Sequence, residues 1–158
     1  MTSTISPATL TVTLTEAVTL NGYDQGSSNV KTVASVTEIS KRIVNVTTTE
    51  AVIATFASAI GAGNYIAADV KYMRFTNKDD TNFITLTFRN QDNDEFAVKV
   101  DAGQSICWFG DNSDGMSAVF NATQDADAAS SANFGSLTNI QADADSSACD
   151  LEMFIACT

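Results

Sequence analysis

Residues 9–15 read Thr-Leu-Thr-Val-Thr-Leu-Thr, and no other feature constrains the fold as strongly. Leu10, Val12 and Leu14 fall on one side of an extended chain, and Thr9, Thr11, Thr13 and Thr15 fall on the other. A helix would scatter these side chains around its axis. A pleated strand sorts them by period two, and β-branched threonine and valine favour that backbone. Residues 17–20 extend the strand after a bulge. The run Asn21-Gly22-Tyr23-Asp24-Gln25-Gly26-Ser27-Ser28-Asn29 then reads as a loop of breakers.

Similar β-rich runs recur along the chain. Residues 30–37 and 42–48 form two, and Thr47-Thr48-Thr49-Glu50 turns into residues 52–56. Helix propensity competes over 50–58, but the Val, Ile, Thr and Phe content assigns a strand. Residues 70–75 form the next strand, and Asn77-Lys78-Asp79-Asp80-Thr81-Asn82 is a polar turn. Residues 83–89 return with Ile84, Leu86 and Phe88 on one face. Asn90-Gln91-Asp92-Asn93-Asp94 turns into an alternating strand through Phe96, Val98 and Val100. Asp101-Ala102-Gly103-Gln104, with Gly103 suited to a positive φ, turns into residues 105–109. A last strand, 149–157, sets Cys149, Leu151, Met153, Ile155 and Cys157 on one face, and at the end of the sequence it needs pairing inside a sheet. Residues 123–131 and 141–147, rich in Ala, Ser and Asp, read as loops, or as a short helix over 125–132. Short strands joined by Asn/Asp/Gly turns in an antiparallel meander predict an all-β fold, an antiparallel β-sandwich or jelly-roll-like domain with little helix. The 158 residues suit a single β-sandwich domain over 9–158 after a flexible N-terminal arm over 1–8.

Charge and missing residue types narrow the function. The chain has no histidine, which removes Ser–His–Asp and Cys–His triads and imidazole chemistry. Eight Lys and Arg against nineteen Asp and Glu leave a net charge of −11, and after Lys99 nine acids follow without a Lys or Arg. Nucleic acid and anionic membranes both need a cationic face, so neither is an expected partner. The N-terminus lacks the basic and apolar regions of a signal peptide, and no run approaches the ~18 apolar residues of a membrane span. Synthesis in the cytoplasm is expected. Cys107, Cys149 and Cys157 are odd in number and lack CxxC spacing. On one strand, Cys149 and Cys157 would lie about 26 Å apart, beyond disulfide reach. A bridge from Cys107 to either stays open, but three buried thiols packed as small hydrophobes are expected.

No site motif emerges. Asp111-Asn112-Ser113-Asp114-Gly115 looks like part of a calcium loop. Placing Gly115 at loop position 6 puts Gly110 and Asn121 at positions 1 and 12, where carboxylates are needed, so the match fails. Asp125/Asp127 and Asp143/Asp145 offer oxygens that could help hold Ca²⁺ between loops, but solvated turn carboxylates are the expected reading, and no metal or cofactor is expected. None of the five lysines stands in an SxxK arrangement, and GxSxG, P-loop and GxGxxG motifs are absent. A glycosidase pair could be drawn from any of nineteen acids, which makes that signal unspecific. The chain is therefore expected not to be an enzyme. Candidate interface anchors are the aromatics at loops and strand ends: Tyr23, Tyr65, Trp108 and Phe109. The competing reading caps the core with them.

The segment Asp69-Val70-Lys71-Tyr72-Met73-Arg74-Phe75-Thr76-Asn77-Lys78-Asp79-Asp80-Thr81-Asn82-Phe83-Ile84-Thr85-Leu86-Thr87-Phe88, then 96–100 and Asp101-Ala102-Gly103-Gln104-Ser105, resembles small structural proteins of tailed bacteriophages, especially marine ones. The likeness spans roughly residues 30–158 and is one of pattern and composition. It implies a β-sandwich virion protein without chemistry of its own: a capsid decoration or cement protein on the outer head lattice, or a tail or neck component. The implied partners are the major capsid protein or other virion subunits, and the chain would form a homo-oligomer. No residue role is carried over. A host-surface or carbohydrate-binding module using loop aromatics is the alternative of a different class.

Overall fold

The computed structural model describes residues 4–120 and 135–158. In chain order the elements are β1 (Ala8–Glu16), β2 (Thr19–Leu20), β3 (Tyr23–Asp24), β4 (Ser27–Val36), β5 (Glu38–Val46), β6 (Ala51–Ala57), β7 (Asn64–Ile66), β8 (Val70–Asn77), β9 (Ile84–Asn90), β10 (Glu95–Val100), β11 (Ser105–Phe109), α1 (Gly115–Phe120), β12 (Leu137–Ala144) and β13 (Cys149–Cys157). A five-stranded sheet in the order β10-β9-β12-β6-β7 packs against a four-stranded sheet in the order β11-β8-β13-β5. The fold is an all-β sandwich, as the alternation predicts.

The core lies between the two sheets. Met73 and Phe75 from β8 and Leu151, Met153 and Ile155 from β13 meet Ile84, Leu86 and Phe88 from β9 and Ile140 from β12, all without solvent exposure. The predicted inward faces of β9 and β13 are the observed ones. β13 is an interior strand, paired with β5 on one side and β8 on the other. Gly103 has its expected positive φ, 70°. Asn77 and Asn90, both buried at strand ends, fold the two polar turns around their side chains. The Asn77 Oδ1 accepts the Asp79 N–H at 3.0 Å, and the Asn90 Oδ1 accepts those of Asp92 and Asp94 at 2.9 and 2.8 Å.

Four expectations change. Residues 141–147 are not a loop throughout, because β12 carries strand structure to Ala144 in the middle of the five-stranded sheet. Its small Ala142 and Ala144 face the core while Asp143 faces out, so the alternation is there but masked by residues of low β propensity. The strands do not form a simple meander: β12 inserts between β9 and β6, β13 between β8 and β5, and β6–β7 is a parallel pair. Residues 21–29 are ordered structure. Asn21 and Gly22, at φ 52° and 85°, make the two-residue turn between β2 and β3, and β4 starts at Ser27. α1 was not anticipated. It buries Met116 and Phe120, four residues apart on one helix face, and Gly115 has φ 56° where a Cβ would collide with the Ala68 carbonyl. The reading of 123–131, the helix over 125–132 and the pair Asp125/Asp127 lie outside the described residues.

Candidate interaction surface

β1 and β4 form a two-stranded ribbon apart from both sheets. In β4 an extra residue opposite Thr9 makes a bulge, with Ser35 at φ 59°. The bulge resets the pleat, so that Val33 and Val36, three residues apart, both turn inward. With Leu10 and Val12 of β1 they cover Tyr72, Phe154 and Ala156 on the outer face of the four-stranded sheet. This second apolar cluster makes the ribbon a third layer. Burying its side chains is worth roughly 1.5–3 kcal/mol each for those fully covered.

Past Val12 that support ends. Leu14 is 60% exposed and Val30 62%, and both border a shallow hollow with Phe109. The β2–β3 tip adds exposed Val18 and Leu20, and Tyr23 at 73%. The tip is nonetheless braced: the Gln25 N–H donates to the Val18 carbonyl at 2.9 Å, and the Asp24 carboxylate accepts the Gly26 N–H at 2.8 Å. The Ser27 hydroxyl donates to Glu16. An ordered hairpin that displays apolar side chains has the character of an interaction surface.

The four predicted anchors separate. Tyr23 sits on the tip, and Phe109 lies on the outer face beside Tyr72, with ring centroids 5.2 Å apart. Tyr65 is half-buried; its ring packs on Phe56 and its hydroxyl donates to Ser40 Oγ at 2.9 Å. Trp108 points into the sandwich, where Phe88, Phe120 and Phe75 surround the indole at 4.8, 6.2 and 6.5 Å. For Trp108 and Tyr65 the competing reading, packing onto the fold, describes their contacts, because each faces the inner side of its strand. Leu14, Val18, Leu20 and Val30 were not singled out from the sequence. The Asn21-Gly22 dipeptide was the available sign of a hairpin tip there.

The cysteines also divide. Cys107 is exposed on the outer face, correcting the expectation of three buried thiols, while Cys149 and Cys157 are buried, and all three are free. Burial pushes the Cys149 thiol up and raises Cys157 to about 12.

Elsewhere several charged groups pair with one another. On the outer face of the four-stranded sheet, Arg74 bonds both Glu152 and Thr76, and Lys41 lies 3.6 Å from Glu152. Hydrogen bonding from Arg74 holds the Glu152 carboxyl below its usual range. The outer face of the five-stranded sheet carries the pair Arg89–Glu95. Asp143 also lies there, raised by burial and then by Glu50. In the loop before α1, the Asp111 carboxylate accepts the Ser113 hydroxyl at 2.6 Å and the Ser113 N–H at 2.8 Å, which lowers it to about 2. That carboxylate is occupied by its own turn. Among the described residues no three Cys, Asp or Glu side chains converge as ligands for a metal. Comparison with protein-family models, curated proteins and solved structures found no match.

Proposed function

We propose that the protein is a non-enzymatic structural subunit of a virion, a capsid decoration protein that docks on the outer head lattice through its β1–β4 ribbon and β2–β3 tip. The observation that carries this reading is the braced hairpin that leaves Leu14, Val18, Leu20, Tyr23 and Val30 in solvent. An isolated domain gains little from such an arrangement, whereas an assembled one covers it. Burial that occurs only in the assembled state stabilises that state by mass action. The sequence resemblance to phage structural proteins supplies the setting. The acidic surface suits a protein that must stay soluble before assembly and keep off packaged DNA. The carbohydrate-binding alternative has less support, since Trp108 and Tyr65 are packed into the fold and leave Tyr23 as the most exposed ring among the described residues.

Quantitative gels of purified particles test the proposal. Copies comparable with the capsid subunits support head decoration, a much smaller number supports a tail or neck position, and absence from particles overturns both. The double variant Leu20→Ser/Tyr23→Ser should reduce incorporation while leaving the melting temperature unchanged.

A further inference from the structure

We propose that two copies of this chain join edge to edge through β1, each strand pairing antiparallel with its counterpart about a two-fold axis at Val12. Among the described residues β1 pairs only with β4, so its other edge has no strand beside it. An open edge is a template for a further strand unless something guards it. The other long edges among the described residues are guarded, and β2 and β3 are two residues each. β4 carries Lys31 and the bulge at Ser35, β10 carries Glu95 and Lys99, and β5 carries Glu38, Lys41 and Arg42. β7 is three residues long and β11 five. β1 runs for nine residues with Glu16 as its one charge, at the last position and already bonded to Ser27.

The register of such a pair is self-complementary. With Val12 opposite Val12, Leu10 meets Leu14, Thr11 meets Thr13, Thr9 meets Thr15 and Ala8 meets Glu16. Apolar side chains then share one face and threonines the other, and no two charges stand opposite each other. A one-residue slip would set leucine against threonine along the whole strand. A two-residue slip shortens the pairing in either direction, and in one of them it brings Glu16 against Leu10. The match also gives the exposed Leu14 a partner, Leu10 of the second copy. A chain with a net charge of −11 resists self-association, and a strand whose single charge lies at its last position adds little to that resistance. Each copy spends the one long unguarded edge found among the described residues, so association stops at two.

Sedimentation velocity on the full chain from about 1 to about 100 µM should show a monomer–dimer equilibrium. Thr11→Lys combined with Thr13→Lys, both on the exposed face, sets lysine against lysine and should weaken the dimer at least about tenfold with unchanged circular dichroism. In a Cys107→Ser background, Thr11→Cys mixed with Thr13→Cys should oxidise to a crosslinked dimer, and Thr9→Cys mixed with Thr11→Cys should not. A monomer at every concentration, a dimer indifferent to the lysines, open-ended oligomers or equal crosslinking in both mixtures would each overturn the proposal. It does not depend on the virion reading: absence from particles would leave the dimer intact, and a monomeric chain could still be incorporated.

Discussion

Asn77 reaches from one sheet to the other: its Nδ2, at the end of β8, donates to the carbonyl of Val100, at the end of β10, at 3.2 Å. The same nitrogen donates to the Asn82 carbonyl at 2.8 Å, and the backbone N–H of Asn77 donates to the Gln104 carbonyl at 2.9 Å. One fully buried amide thus ties two polar turns to the end of the sandwich. Asn77→Ala removes these side-chain bonds and takes a donor away from the Val100 and Asn82 carbonyls. It should cost about 2–4 kcal/mol in urea unfolding. Asn77→Asp, which presents a carboxylate to the same carbonyls, should cost at least as much at neutral pH.

Trp108 and Phe109 are neighbours in the chain with opposite surroundings, and substitution should separate them. Trp108→Ala empties the space between Phe75, Phe88 and Phe120 and should cost about 3 kcal/mol. Phe109→Ala, at a residue 36% exposed that touches Tyr72, should cost about 1 kcal/mol. Trp108 is the sole tryptophan, so its emission should be blue-shifted when folded and should move to the red in a single step with denaturant.

Acid should destabilise the fold through three carboxylates. Asp111 is lowered from 3.8 to about 2 by the Ser113 hydroxyl and by the N–H groups of Ser113 and Asp114. Asp79 is lowered by the N–H groups of Asn82 and Thr81, and Glu152 by Arg74. Because each folded value lies below the unfolded one, the stabilisation is present above the unfolded pKa and disappears as pH falls through the folded value. For Asp111 that window runs from about 4 down to about 2. Asp143, raised by burial, works in the opposite sense and gains on protonation. Melting temperature followed across acid pH should show Asp111→Asn with a shallower decline than the parent between those limits.

Thiol chemistry should count the layers. A thiol reagent applied to the native protein should modify Cys107 quickly and leave Cys149 and Cys157 untouched, with both reacting after denaturation. The Cys157 thiol, raised to about 12 by burial, should stay unmodified even at mildly alkaline pH while the fold is intact. Two rapidly modified thiols in the folded state would contradict the placement of β13 in the interior.

Much of the local structure was legible in the residues alone. The threonine alternation of β1, the inward faces of β9 and β13, the span of β11 and the turns at 90–94 and 101–104 all appear where side-chain period and turn chemistry put them. These are properties of neighbouring residues, and sterics along the chain decide them. Strand order and the fate of each outer face could not be read this way, because both depend on what arrives from elsewhere in the chain. Leu14 and Leu10 share a side of β1, yet Leu10 lies over the Tyr72, Phe154 and Ala156 cluster while Leu14 stands in solvent. Phe154 and Ala156 occupy the nominally outer side of β13 and are covered because the ribbon folds across them. Period two tells which side chains lie together; only the packing of distant segments tells which of those sides is dry.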